Sequence, residues 1–428
     1  MSPFVAIFAF HVATALPVEL PPAPVGPTAI ETAAIDLLIG ELASSDFAVR
    51  DQAYRKLGAF EGKAYRQLLA AELQSADAEV RHRCGLLLPA ARVADLNARI
   101  AAYLDDRSGK YAHDLPGLGR YREITRGNPA ANTFFAQLLR DPGTQKLFLA
   151  AEASPAEIPA SVTARAIEMQ QRLGRPVAVP PPGLVVRPAA VRPATVAANA
   201  ASATEILGML FVDSLTPADA QMRRVGVSPA TFLYQQQLRT AVASPAERGT
   251  GLDDSSKLAR AILQNWFDTR EDSYELNVAL NYAGQFDMPE AAIRAATKQL
   301  TNKTAIASMR GQAMGSLTKF AKEKAKPTLE SMLKDETQVG VRPDQEVGEN
   351  GQMVSKMYPI QTRDVALAML LHLDGKKPTE YGMKIFATTE SMKYQYTNHW
   401  FRTEAARDEA FKKFAEERAK NQAEPMKK

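Results

Sequence analysis

The strongest constraint on this chain is a repeat. Ser44, Asp46, Val49, Arg50 and Leu57 recur in register 31 residues later as Ser75, Asp77, Val80, Arg81 and Leu88. Both copies sit in apolar patterns of helical period. Ile35, Leu38, Ile39 and Leu42 stand at i, i+3, i+4 and i+7, and Phe47, Arg50, Ala53, Tyr54 and Leu57 resume the pattern after Ser44-Ser45-Asp46. Short polar residues end one helix and start the next because their side chains accept the free N–H groups of a first turn. Gly58 is read as closing the second helix. A third helix is expected from Gly62 to Leu73, and a fourth to about Ala91 with Val80, Cys84, Leu87, Leu88 and Ala91 on one face. Two helices per period predict stacked helical hairpins, each sheltering its neighbour's apolar face.

The segments Asp46-Phe-Ala-Val-Arg50-Asp-Gln-Ala53 and Asp77-Ala-Glu-Val-Arg81 match the D-x-x-V-R signature of HEAT-like repeats, and the chain resembles that family. The resemblance implies an all-α superhelix of helical hairpins. It also implies a structural polar ladder between repeats that includes Asp46, Arg50, Asp77 and Arg81. Thr362-Arg363-Asp364-Val365-Ala366 reproduces the pattern of Val49 to Ala53, which adds Arg363 to the ladder. As a whole the chain resembles exported bacterial HEAT-repeat proteins.

Other boundaries follow from composition. Phe4 to Ala15 is an apolar run with Ala13-Thr14-Ala15 placed as a cleavage site, so residues 1–16 read as a secretory leader, although no Lys or Arg precedes the run. A proline-rich linker over 17–30, the repeat pair over 31–93 and a helical extension over 94–152 follow. Eight prolines between Ser154 and Pro193 favour an extended spacer over 153–204, with one short helix at about Ser161 to Leu173. Residues 1–200 hold 17 Arg and 4 Lys, whereas 201–428 hold 13 Arg and 18 Lys, which supports a second helical domain over 205–404 and a charged tail over 405–428. In that domain Glu205 to Ser214, Tyr274 to Tyr282, Pro289 to Leu300, Ala305 to Phe320 and Thr362 to Leu373 have the helical period. Between the helix begun by Pro327 and Thr362, the insert 336–360 carries Gly340, Gly348, Asn350 and Gly351, which predicts a projecting turn or hairpin. Its removal, Glu336 to Pro359, is expected to leave thermal unfolding nearly unchanged.

Motifs for chemistry fail on physical grounds. A single cysteine, Cys84, excludes an internal disulfide and a multi-thiolate zinc site, and its place in the repeat marks it as a small core residue. No two of His11, His82, His113, His372 and His399 lie within four residues, so no helix-borne metal pair exists. Gly58 to Lys63 is one residue short of a phosphate-binding loop and follows a helix. Gly226-Val-Ser228-Pro229 approximates a nucleophile elbow, but proline lacks the N–H an oxyanion needs, and Ser228 reads as a helix cap with Pro229 at the first position. His113-Asp114 and Asp105-Asp106 read as solvated loop residues. Trp266-Phe267 and Trp400-Phe401 read as core. The net charge, 52 minus 48 or +4, argues against a nucleic-acid partner or an anionic membrane.

The expectation is a non-enzymatic scaffold that takes a protein partner on a curved face or through the insert 336–360, without cofactor and without membrane contact beyond an N-terminal anchor. It is exported to the periplasm or beyond; a cytoplasmic location is the alternative. The competing reading, implied by the likeness of some HEAT-like proteins to bilin lyases, is a cofactor-handling or lyase-type activity.

Overall fold

The structure is a computed structural model and describes residues 26–174, 201–221, 227–243, 251–302, 304–347, 350–390 and 392–423. The leader over 1–16, most of the linker over 17–30 and half of the segment 153–204 lie outside these residues. Among the described residues no helix is long and apolar enough to cross a membrane.

The chain is predominantly helical and forms two compact units that divide after Leu118. The first contains α1 (Ala29–Glu41), α2 (Phe47–Ala59), α3 (Tyr65–Gln74) and α4 (Ala78–Asp105). Thr28 and Glu31 form a capping box at the start of α1: the Thr28 N–H donates to Glu31 Oε2 at 2.8 Å and the Glu31 N–H to Thr28 Oγ1 at 3.3 Å. Ile35, Leu38 and Leu42 meet Ala53, Leu57, Ala64, Leu68, Val80 and Cys84 in one core. Two helix ends differ from expectation. Gly58 lies inside α2, where Leu87 Cδ2 would touch an added Cβ at 3.6 Å, and the left-handed residue of this turn is Glu61 at φ 48°. The fourth helix passes residue 93 and runs on to Asp105 with Pro89 inside it, because Leu96, Ile100 and Tyr103 extend its buried face.

The second unit contains α5 (Leu118–Ile124), α6 (Ala131–Arg140), α7 (Pro142–Ala153), α8 (Ile158–Gly174) and α9 (Ala203–Ser214), then α10 (Asp254–Asp268), α11 (Ser273–Gln285), α12 (Pro289–Thr301), α13 (Ala307–Ala321) and α14 (Lys326–Ser331). A hairpin of β1 (Gln338–Val347) and β2 (Met353–Gln361) follows, then α15 (Thr362–Leu373), the short antiparallel pair β3 (Lys384–Ile385) and β4 (His399–Trp400), and α16 (Glu404–Ala423). Helix α9 is buried on every side from Glu205 to Ser214, as a helix apolar all round must be. Tyr121, Phe135 and Phe148 gather around its Phe211, with Tyr121 and Phe135 stacked at 4.4 Å.

That aromatic cluster moves the domain boundary. Residues 119–152 belong with the second unit rather than with an extension of the repeat pair. The short helix expected within the segment from 153 is present, starts earlier at Ile158 and is packed, because Ile158, Val162, Ala166 and Met169 are buried along α8.

Charges buried on α9 are compensated. Arg270 and Asp213 are fully enclosed; Arg270 Nη1 donates to Asp213 Oδ2 at 2.7 Å and to Glu275 Oε2 at 3.0 Å, and Trp266 Nε1 donates to Asp213 Oδ2 at 2.7 Å. Ser228 caps the turn at Pro229–Phe232 and donates to Glu275 Oε1 at 2.8 Å. Gly315 on α13 admits the loop before β4, since an added Cβ would lie 1.8 Å from the Tyr394 carbonyl oxygen.

Candidate functional site

The repeated residues build the same local device twice. Ser44 Oγ accepts from the Asp46 N–H and Ser75 Oγ from the Asp77 N–H, both at 3.2 Å. Asp46 caps α2 by accepting from Ala48 N–H at 2.8 Å, and Asp77 caps α4 by accepting from Glu79 N–H at 2.8 Å and Val80 N–H at 3.1 Å. Arg50 Nη1 then returns to the Ser44 carbonyl at 2.6 Å, as Arg81 Nη1 returns to the Ser75 carbonyl at 2.7 Å. Three of the five recurring positions, the serine, aspartate and arginine, therefore recur because together they close a loop and start a helix. Arg50 also reaches Glu79 at 3.7 Å across the two copies; among the described residues neither aspartate meets an arginine of the other copy. Arg363 works differently, donating to Gln361 Oε1 at 2.6 Å and pairing with Glu336 at 2.7 Å at the base of the hairpin.

The hairpin is the most exposed apolar feature of the second unit. Register pairs Val341 with Pro359, Pro343 with Met357, Gln345 with Ser355 and Val347 with Met353, so these residues share one face. That face points to solvent: Val341 is 43%, Val347 71%, Met353 60% and Met357 55% exposed. On the opposite face Arg342, Asp344 and Glu346 of β1 are half-buried, whereas their β2 neighbours Val354 and Lys356 are exposed. Arg342 lies 3.6 Å from the centroid of the Phe386 ring, and Arg402 pairs with Asp344 at 2.6 Å and with Glu346 at 3.7 Å. Burial works against the Asp344 charge, but Arg402 holds its carboxyl below the usual range. Burial, with the Glu346 carboxylate beside it, pushes the Tyr358 phenol up to about 12.

Along β1 this reverses the usual arrangement of a sheet lying on a protein, with charge outward and apolar side chains inward. The foot of the hairpin is anchored in the ordinary way, with Val339, Tyr358 and Ile360 buried and Arg407 Nη2 donating to the Pro359 carbonyl at 3.3 Å. Excising Glu336 to Pro359 would remove Val339 and Tyr358 from the core, so that deletion is destabilising rather than neutral.

A second feature was invisible in spacing. His372, near the end of α15, and His399, which opens β4, bring their Nε2 atoms to 2.9 Å, although 27 residues separate them. They flank a cavity of about 450 Å³ lined also by Lys376, Lys377 and Lys393. Burial and then Lys393 lower His372 to about 4; burial and then His372 lower His399 to about 3, against a weaker opposing contribution from the Gln395 backbone.

The remaining sequence candidates resolve locally. His113 is not solvated: its side chain and that of Asp106 are each 3% exposed and meet at 3.0 Å. Burial alone would raise Asp106, but hydrogen bonds from His113, from the N–H groups of Lys110 and Tyr111 and from Ser108 hold it well below the usual carboxylate range. The device organises a loop. Cys84 is fully buried and burial pushes its thiol up to about 11, which leaves it unreactive as a thiolate. Trp266, Phe267, Trp400 and Phe401 are core residues. No group of three or more candidate metal-binding side chains occurs among the described residues. Comparison with family models, with curated proteins and with solved structures returns no match.

Proposed function

We propose that this chain is a helical-repeat scaffold that binds a protein partner through the outer face of the β1–β2 hairpin. One observation supports the reading above others: Val341, Val347, Met353 and Met357 face solvent together while Arg342, Asp344 and Glu346 on the other side of β1 are half-buried. Contiguous exposed apolar surface on a folded unit marks a contact surface, and flexible methionine side chains suit such surfaces because they adapt their packing. The Asp–Arg devices of the first unit support the HEAT-like part of the reading, since a motif that restarts a helix at a fixed period builds an array. Catalysis has no role here, and export remains the expected setting.

The test leaves the foot of the hairpin untouched. Val341→Thr, Val347→Thr, Met353→Gln and Met357→Gln combined should shift unfolding free energy by no more than about 0.5 kcal/mol per site, as for other surface changes. The same variant should weaken binding of the partner isolated with the full chain by at least about tenfold, the loss of roughly 1.4 kcal/mol. Retention of wild-type affinity by the folded variant would refute the hairpin as the contact.

A further inference from the structure

We infer that the cavity flanked by His372 and His399 binds a small organic anion, a carboxylate or phosphate group carried on an apolar body. At about 450 Å³ it has the size of a small-molecule site. Three lysines, Lys376, Lys377 and Lys393, line it against one carboxylate, Glu390. Two of these cations are partly compensated: Lys376 Nζ lies 2.5 Å from Glu417 and Lys393 Nζ 4.0 Å from Glu390. Lys377 is exposed, and among the described residues it pairs with no carboxylate.

The histidine pair makes the site more than a patch of surface lysine. His399 is 1% exposed, and its Nε2 lies within hydrogen-bond distance of that of His372, at 2.9 Å. Two neutral imidazoles so joined have one N–H between them and one more on an outer nitrogen, while Nδ1 of His399 is buried without a partner at full hydrogen-bond geometry, the Gln395 backbone offering the ring only a weak interaction. Burial holds both rings neutral, with Lys393 adding to the effect on His372 and His372 to that on His399. An anion entering the cavity supplies counter-charge to the lysines and can accept the outer N–H of the neutral histidine pair, in a partly dry setting where such contacts are stronger than in water. Ile385 and Ala387 line the same cavity and meet the apolar part of the ligand.

The experiment follows the ring Cε1–H resonances of His372 and His399 in the full chain, assigned by His372→Gln. Inorganic phosphate, glutarate and chloride are added at matched ionic strength. A saturable shift with phosphate, glutarate or both, absent with chloride, supports the site; which probe saturates identifies the phosphoryl or carboxylate chemistry. Lys377→Ala and Lys393→Ala should each raise the dissociation constant by about fivefold, as loss of one partly exposed charge contact does, with the thermal midpoint confirming the fold. Shifts that track ionic strength equally for all three salts overturn the proposal, as does a saturable shift that both lysine variants leave unchanged. The hairpin is not involved, so this result stands apart from the partner-binding test.

Discussion

Lowering the pH from about 7.5 to about 5 should cost this protein roughly 2 to 4 kcal/mol of stability through His372 and His399 alone, since each neutral buried histidine contributes a slope of about 1.4 kcal/mol per pH unit. In the folded chain their values are about 4 and about 3, whereas an unfolded histidine titrates near 6.5. The unfolded chain therefore binds protons that the folded chain refuses. Stability from this source is complete above pH ~6.5 and is lost as pH falls toward the folded values. The lower end of the range allows for the partial exposure of His372, which solvent screens. Urea unfolding at the two pH values checks it, with His372→Gln/His399→Gln as the comparison. The double variant should lose less than half as much as the parent; parallel losses would show that carboxylates elsewhere carry the pH dependence.

The second large effect lies in the core. Asp213→Ala should destabilise the second unit by about 3 to 5 kcal/mol, because it leaves the Arg270 guanidinium buried without its main partner. It also removes the acceptor for Trp266 Nε1. Arg270→Met carries its own penalty through Asp213 and Glu275. When both changes are combined, the cost should fall short of the sum by about 2 kcal/mol or more, since each single change strands the other's charge. Denaturant unfolding of the four proteins closes the cycle. Strict additivity would mean that the two side chains do not support each other, despite the 2.7 Å contact.

The features legible in the sequence are those whose causes are local. Ser44, Asp46 and Arg50 act within six residues of one another, so their recurrence at Ser75, Asp77 and Arg81 marks two helix starts without any knowledge of the tertiary fold. The span of α15 follows from Thr362 to Leu373 in the same way. The hairpin could be expected from Gly340, Asn350 and Gly351, and the alternation of Val341, Pro343 and Val347 with Arg342, Asp344 and Glu346 was there to be read, whereas Val354 breaks it on β2. Which face turns outward was not, because Phe386, Trp400 and Arg402 decide it from 40 or more residues away along the chain. The same distance hid the His372–His399 pair and the cavity beside it. The boundary after Leu118 was missed for a related reason: Tyr121, Phe135 and Phe148 find their partner in Phe211, beyond a proline-rich stretch that composition marks as a break.

The outward orientation of the apolar hairpin face is the centre of this account, and site-specific photocrosslinking tests it most directly. A benzophenone side chain placed singly at positions 343, 345, 347, 353, 355 and 357, and at the inward positions 342, 344 and 346, is activated in complex with the copurified partner. The account expects crosslinks to the partner from the first set and only intramolecular products from the second, an alternation with the period of a strand. Equal yields from both sets, or partner crosslinks confined to the inward positions, would contradict it.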